Sequence, residues 1–200
     1  MMVHMSKVSK PAGGSDADQF RLDNPDLGFR FTATLSDRHG RTQERLTTPA
    51  GLAKWLAAND LLFTGAEPTP RHLATAHQLR EAIHRTGVAI SSGHRAARAD
   101  AKILNNAATR GHYVQQLNSR GVAEFQGAGA DPFDDALSVI ASHAISVLGG
   151  ERSQFVKSCE WPDCQGLFID TSRGFNRRWC SMNYCGNRAK KTAIRQRAAR

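Results

Sequence analysis

Four cysteines, arranged in two equally spaced pairs, constrain this chain of 200 residues more than any other feature. Cys159 and Cys164 form the first pair, and Cys180 and Cys185 form the second. Each pair encloses four residues, a spacing at the upper end of that found in the ligand loops of zinc sites. Because zinc favours four soft ligands in a tetrahedron, the pattern predicts one structural zinc ion held by the four thiolates.

Other uses of four cysteines fit the sequence less well. Two disulfides need an oxidising compartment, which nothing in the sequence indicates. A redox dithiol prefers the tighter Cys-x-x-Cys spacing, and a catalytic zinc ion keeps one coordination position open. An iron–sulfur cluster also takes four cysteines and remains the alternative to zinc at this stage.

The net charge of +9 is concentrated at the C-terminal end of the chain. Nine lysines and arginines and no acidic residue follow Asp170, so the charges before them balance to zero. Such asymmetry indicates an anionic partner, most often nucleic acid, although a solvated basic tail is an equal alternative. Arg188, Lys191 and Arg195 have helical spacing, so we expect one face of a helix beginning near Cys185 to carry them.

The cysteine segment resembles a known family, the CGNR zinc finger. The resemblance rests on the two cysteine pairs, on the runs Gly166–Arg173 and Arg177–Met182, and on Cys185–Arg188, the run that gives the finger its name. In that family the finger usually follows an ABATE domain, and the pair is similar to a bacterial, stress-induced transcription regulator. The helix around Trp55 and the run Leu79–Ile83 also resemble the family, whereas Phe29–Asp37 lacks its usual Asn-Thr pair.

The chain divides into three predicted parts. Residues 1–19 are mostly small or polar and are expected to be disordered. Residues 20–150 are predicted to form an ABATE-like α+β domain, mainly helical with small β-hairpins. Residues 151–200 are predicted to form a CGNR-type zinc finger with a basic C-terminal helix. No apolar run long enough for a membrane span or a signal peptide is present, so we expect a cytoplasmic protein and no membrane partner.

Turn and capping signals predict the individual elements. Alternating apolar residues predict a strand over Gly28–Asp37, with a return over Arg41–Leu46. A second hairpin is predicted over His112–Leu117 and Val122–Gln126. Four helices are predicted: from Thr48-Pro49 to about Asn59, from Thr69-Pro70 to about Arg85 with Gly87 as terminator, over Arg95–Thr109, and from Asp131-Pro132 to Gly149-Gly150.

These features predict a zinc-dependent transcription regulator that binds double-stranded DNA through its C-terminal end, with residues 20–150 sensing a small-molecule effector or mediating homodimer formation. The predicted nucleic-acid contacts are all cations: Arg173, Arg177, Arg178, Arg188, Lys190, Lys191, Arg195 and Arg197. Two alternatives stay open: a zinc-stapled interaction module, and a small-molecule-binding protein or enzyme that uses the N-terminal domain. We expect no enzyme, because no phosphate loop, nucleophile elbow, HExxH motif or paired carboxylates appear. The histidines are predicted to be scattered over surface or half-buried positions.

Overall fold

The computed structural model describes residues 20–199, so the segment predicted to be disordered and Arg200 lie outside the described residues. The architecture is α+β, as predicted, with helices that outweigh three small antiparallel sheets of two strands each. The helices are α1 (Leu27–Thr32), α2 (Pro49–Ala57), α3 (Pro70–Ser91), α4 (Arg98–Arg110), α5 (Pro132–Gly149) and α6 (Asn187–Ala198). The strands are β1 (Leu35–Ser36), β2 (Gln43–Glu44), β3 (Tyr113–Leu117), β4 (Ala123–Gly127), β5 (Val156–Ser158) and β6 (Leu167–Ile169).

Three of the four predicted helices begin where their capping residues indicate. The side chain of Thr48 accepts a hydrogen bond from the backbone N–H of Gly51, and Thr69 caps α3 in the same way. Asp131 accepts from two backbone N–H groups at the start of α5. In each case proline occupies the first helical position, where its missing N–H costs nothing. The helix predicted over Arg95–Thr109 is confirmed as α4, although its start has no side-chain cap.

The strand predicted over Gly28–Asp37 is wrong for most of its length. The residues form the short helix α1, and the extended segment is confined to β1. Asp26 caps the helix by accepting a hydrogen bond from Phe29 N at 3.3 Å. Phe29 and Phe31 are both buried, because α1 is surrounded by other residues on almost all sides. The apolar residues at alternate positions therefore result from this burial and do not indicate a strand.

The predicted end of α3 at Gly87 is also wrong, because the helix continues for another turn to Ser91. Gly87 is buried within α3, and a Cβ atom placed there would lie 2.3 Å from Leu167 Cδ1 in β6. The glycine therefore permits close approach between a helix and a strand, which is the other common role of glycine inside an element.

The second predicted hairpin is confirmed, the first is reduced to two residue pairs, and the structure adds a third pair of strands. β1 pairs with β2, and β3 pairs with β4 over five residue pairs. In this third pair, β5 and β6, Val156 pairs with Ile169 and Ser158 with Leu167. This third hairpin starts the cysteine segment.

The hydrophobic core is shared between the N-terminal helices and the cysteine segment. Trp55, Ile83 and Ile140 are fully buried members from α2, α3 and α5. Val156 and Leu167 of the third hairpin belong to the same core. The cysteine segment is therefore packed onto the helical part. None of the helices in residues 20–199 has the length and apolar character needed to cross a membrane.

Candidate metal centre

The four cysteines converge on one point. Their sulfur atoms all lie within 4.8 Å of one another, and all four thiols are free. The Sγ atoms of Cys164 and Cys180 are 3.6 Å apart, and those of Cys180 and Cys185 are 3.8 Å apart. Among residues 20–199, the four cysteines are the one group of three or more potential metal ligands that lie close together.

The backbone around the cysteines explains this convergence. The N–H of Cys159 donates to the carbonyl of Gly166 at 2.8 Å, which extends the β5–β6 hairpin to the first pair. The second pair lies around a turn of π-helix, Met182–Gly186, that leads directly into α6. Gly166 N–H donates to Cys164 Sγ at 3.3 Å, and a Cβ atom at Gly166 would crowd two of the sulfurs at 3.1 and 3.2 Å.

The close packing of the four thiols favours a cation bound between them. Hydrogen bonds from Cys164, and then from Cys180 and Cys185, hold the pKa of the Cys159 thiol far below its usual value. Contacts with Cys159 raise the pKa of Cys180 and of Cys185. Four sulfurs this close cannot all ionise unless positive charge lies between them, and a bound metal ion supplies that charge.

The geometry fits one zinc ion. Zinc–sulfur bonds of about 2.3 Å in a tetrahedron place the sulfurs about 3.8 Å apart, which matches the observed separations. A multi-iron cluster distributes its cysteines over several irons and needs a wider spacing. With four protein ligands the centre has no open position, so the ion is structural. The prediction of one structural zinc ion therefore agrees with the site.

Aromatic side chains enclose the cysteines. Trp161, Trp179 and Tyr184 pack against the buried sulfurs. Trp179 thus contributes to the small core of the finger module, residues 151–199. Phe168 is fully buried in β6, so its ring is not available to stack on a base.

The loop between β6 and the second cysteine pair is held by a buried carboxylate. Asp170 accepts hydrogen bonds from Lys157 Nζ at 2.6 Å, from the N–H of Ser172 and from the N–H of Arg177. Burial acts to raise the pKa of Asp170, but the hydrogen bonds from Lys157 and Ser172 outweigh it and lower the pKa well below the usual range. Phe175 stacks on Phe155 with the ring centroids 4.9 Å apart. The loop is therefore folded against the module.

Two predicted nucleic-acid contacts in this loop have internal partners. The guanidinium of Arg177 donates to the carbonyls of Trp179 and Cys180 and lies over the ring of Phe168. Arg178 pairs with Glu160 at 2.5 Å, and its exposed guanidinium lies beside the ring of Trp179. Arg177 thus stabilises the backbone beside Cys180, whereas the guanidinium of Arg178 remains exposed to solvent.

The basic helix α6 extends from the metal centre into solvent. None of its residues is buried, and the chain carries no acidic residue after Asp170. Within residues 20–199, no acidic side chain forms an ion pair with its four outer cations, which are Lys190, Lys191, Arg195 and Arg197. Arg173 on the preceding loop is exposed as well. Arg188, at the base of the helix, pairs with Asp37 of the N-terminal part.

The segment that precedes α1 contacts the module from one side. Asn24 Nδ2 donates to the carbonyl of Leu167 at 2.9 Å, and Ser181 Oγ donates to the Asp23 carboxylate at 2.5 Å. Arg21 lies over the ring of Tyr184, 4.3 Å from its centroid. These residues were missed by sequence reasoning, because their partners are more than 140 positions away and no local pattern marks them.

The turn between β1 and β2 and the helix α3 contact the module from the other side. His39 N–H donates to the carbonyl of Asp163 at 3.1 Å, and Asp37 accepts two hydrogen bonds from Arg188. The ring of His84 on α3 bonds the carbonyl of Gln165 at 2.9 Å. Burial lowers the pKa of His84 to about 4, so the ring is neutral and donates.

The other histidines of α3 also have structural partners. His72 bonds the Asp131 carboxylate at 3.0 Å, and His77 bonds the carbonyl of Leu46 at 2.9 Å. These rings connect α3 to the loops that pack against it.

Two family models match the chain. Residues 26–151 match ABATE, described as "Putative stress-induced transcription regulator", and residues 156–198 match the CGNR zinc finger. The first match covers more than half of the chain, so the protein belongs to the ABATE family and carries a CGNR zinc finger. These descriptions are of a regulator and a zinc finger. A search of individual curated proteins found no match.

Proposed function

We propose that the protein is a zinc-dependent transcription regulator that binds double-stranded DNA through its finger. The zinc ion fixes the direction of α6, and the exposed cations of that helix contact phosphates. The N-terminal domain senses a ligand or mediates association. The proposal includes a non-enzymatic role, a cytoplasmic location and the bacterial setting that the family resemblance implies.

The observation that carries this proposal is the exposure of α6, whose four outer cations form no ion pair with an acidic side chain of residues 20–199. A helix of twelve residues extends about 18 Å, enough to lie along several phosphates. Its outer cations remain free for an anionic partner, because no ion pair occupies them within the described chain. Double-stranded DNA presents one negative charge per about 1.7 Å of helix axis, so such a surface gains strongly from releasing counterions.

The distribution of polar side chains on α6 favours phosphate contact over base reading. Thr192 and Gln196 are the uncharged polar residues of the helix beyond its first residue, Asn187. The Asn187 amide already donates to the carbonyl of Asn183 at 3.0 Å. Sequence preference therefore depends on few side chains of this helix, or on the spacing of two copies.

A second candidate function, an association module, has one observation in its favour. The β3–β4 hairpin exposes Val114, Leu117 and Val122, of which Leu117 is 73% exposed. Several exposed apolar side chains on one hairpin favour contact with another protein. This candidate is compatible with DNA binding, since regulators commonly bind as dimers.

The decisive experiment measures binding of the zinc-loaded protein to a fluorescent random-sequence duplex of about 20 base pairs, a length that exceeds the reach of α6. The test variant replaces Lys190, Lys191, Arg195 and Arg197 with glutamine. Thr192→Ala serves as a matched control on the same helix, because it changes no charge.

The proposal predicts that the four-glutamine variant loses at least about 100-fold in affinity at low salt, while the control binds like the wild type. Selection from a random duplex library then reports any sequence preference. Wild-type affinity in the four-glutamine variant would show that α6 does not bind DNA. A protein complex that survives nuclease treatment, with no binding to the duplex, would favour the association module instead.

A further inference from the structure

The base of α6 differs from the rest of the helix in its electrostatics. The guanidinium of Arg188 donates from Nη1 to Asp37 Oδ1 at 2.6 Å and from Nη2 to Asp37 Oδ2 at 3.1 Å. This paired, parallel geometry is the strongest that arginine forms with a carboxylate. The Arg188 side chain is still 42% exposed, so solvent and other anions reach it.

A cavity of about 250 Å³ lies beside this ion pair. Its lining residues are Asp37, Arg41, Trp161, Asp163 and Arg188. Two carboxylates thus face two guanidinium groups, and the cavity is close to neutral overall. A phosphate that approaches Arg188 therefore meets repulsion from Asp37 and Asp163 that it does not meet along the outer part of α6.

The turn that presents Asp37 is attached to the N-terminal domain. Arg38 of the turn pairs with Glu81 on α3 at 2.7 Å. Gly40 of the same turn also packs against the finger, where a Cβ atom at Gly40 would lie 2.7 Å from Asp163 Cβ. Asp37 itself has a positive φ of 51°, a conformation that this fixed turn requires. The turn therefore connects α3 to the finger, and its position sets where the Asp37 carboxylate lies relative to α6.

We propose that Asp37 is an autoinhibitory counterion, which competes with nucleic-acid phosphate for Arg188 and weakens binding by the finger. This inference rests on the proposed DNA binding and adds its regulation. A change in the N-terminal domain that withdraws the β1–β2 turn frees Arg188 and adds one cation to the binding surface. The domain assigned to sensing thereby acts on the DNA-binding helix through one ion pair.

A double-mutant cycle on the full-length, zinc-loaded protein tests the proposal. The variants are Asp37→Asn, Arg188→Gln and the combination of both. Asparagine keeps the shape of aspartate and tolerates the positive φ. The measured quantity is affinity for the random-sequence duplex, with zinc content and thermal unfolding recorded for every variant.

Counterion competition predicts a definite order of affinities. Asp37→Asn binds about fivefold more tightly than the wild type at low salt, because it leaves one more free cation, and its salt dependence steepens by about 0.9 in log–log slope. Arg188→Gln binds more weakly, because it leaves Asp37 without a partner. The double variant returns to the wild-type affinity, because it has the same net charge as the intact pair.

The opposite role for Asp37 gives a different pattern. If Asp37 merely orients Arg188 for direct contact with DNA, Asp37→Asn weakens binding and the double variant binds as weakly as Arg188→Gln. That pattern overturns the proposal. Glu67→Gln, at an exposed carboxylate before α3, removes the same charge away from the ion pair and should leave the affinity unchanged.

The cycle also separates this proposal from the DNA-binding proposal. If the four-glutamine variant of α6 loses affinity while Asp37→Asn does not gain it, DNA binding stands and autoinhibition fails. If no variant binds the duplex, both proposals fail. If Asp37→Asn loses zinc, the double variant takes its place in the comparison. A double variant that binds DNA as weakly as Arg188→Gln would then overturn autoinhibition without data from Asp37→Asn.

Discussion

Gly87 and Leu167 meet at the point where α3 of the N-terminal domain crosses β6 of the finger. A Cβ atom at Gly87 would lie 2.3 Å from Leu167 Cδ1, far closer than packed atoms approach. Leu167 is buried in the same core as the N-terminal helices. The finger is therefore packed against the N-terminal domain and is not joined to it by a linker alone. Substitutions at this contact measure how much the stability of one part depends on the other.

Replacing Gly87 with alanine should destabilise the protein. Alanine improves helix propensity by about 1 kcal/mol, but overpacking a buried contact typically costs about 1–3 kcal/mol, so we expect a net loss of free energy of unfolding. Denaturant unfolding measures this change. Ala74→Gly, at an exposed position of α3, measures how much the difference in helix propensity between alanine and glycine changes the free energy of unfolding. A Gly87→Ala protein more stable than the wild type would show that the helix and β6 are not in tight contact.

Replacing Cys164 with serine should release the zinc ion and destabilise the entire chain. Serine is a poor zinc ligand, and structural zinc sites supply much of the folding free energy of their modules. Because Val156 and Leu167 belong to the common core, the loss should lower the midpoint of thermal unfolding of the helical part as well.

Metal analysis and circular dichroism at 222 nm, a helix signal, check the Cys164→Ser prediction. Asn183→Ser, an exposed change between the second pair of cysteines, serves as the control. An unchanged unfolding midpoint in the zinc-free protein would mean that the two parts fold independently.

The stability of the interface should decrease in mild acid because of His84. Burial lowers the pKa of His84 from 6.5 to about 4, with Arg38 adding to the effect, while the hydrogen bond to the Gln165 carbonyl and the charge of Glu81 oppose it. His39 also faces the ring and lowers its pKa. The unfolded state binds the proton more readily, so this contribution is complete above pH 6.5 and is lost as the pH falls toward 4.

A comparison with His84→Gln isolates this effect from acid release of zinc. Glutamine retains a donor for the Gln165 carbonyl and does not titrate in this range. Between pH 6.5 and 4 the free energy of unfolding of the wild type should fall more steeply, by up to about 1.4 kcal/mol per pH unit. Parallel pH profiles for the two proteins would contradict the assignment of a buried, neutral His84.

Replacing Asp170 with alanine should loosen the loop that carries Arg173. The change removes the acceptor for Lys157 and for the N–H groups of Ser172 and Arg177. Trypsin should then cleave after Arg173 faster than in the wild type, as measured by mass spectrometry of timed digests. Thr171→Ala is a matched neighbour, and equal cleavage rates in all three proteins would show that Asp170 does not order the loop.

The metal site was predictable from sequence because its signal is local. Two cysteine pairs at fixed spacing, followed by a run without acidic residues, define both the ligands and the helix that follows them. The capping residues Thr48, Thr69 and Asp131 likewise fix three helix starts through contacts within three residues.

The contacts between the two parts could not be predicted because they are distant in sequence. Asp37 and Arg188 are separated by 151 positions, and neither has a neighbouring pattern that names its partner. The apolar residues at alternate positions, Phe29 and Phe31, led to the prediction of a strand. A helix buried on all sides lacks the polar face by which an amphipathic helix is identified, so α1 gave no helical pattern. A glycine inside the strong helical pattern of α3 was the one available signal for docking, and it was interpreted as a terminator.

The salt dependence of DNA affinity tests the central claim most directly. If the four outer cations of α6 neutralise phosphates, a plot of log affinity against log salt concentration should have a slope of about −3.6 for the wild type. The slope should approach zero when Lys190, Lys191, Arg195 and Arg197 are replaced by glutamine. An equally steep slope in that variant, or a flat response in the zinc-loaded wild type, would contradict DNA binding by the zinc-anchored helix.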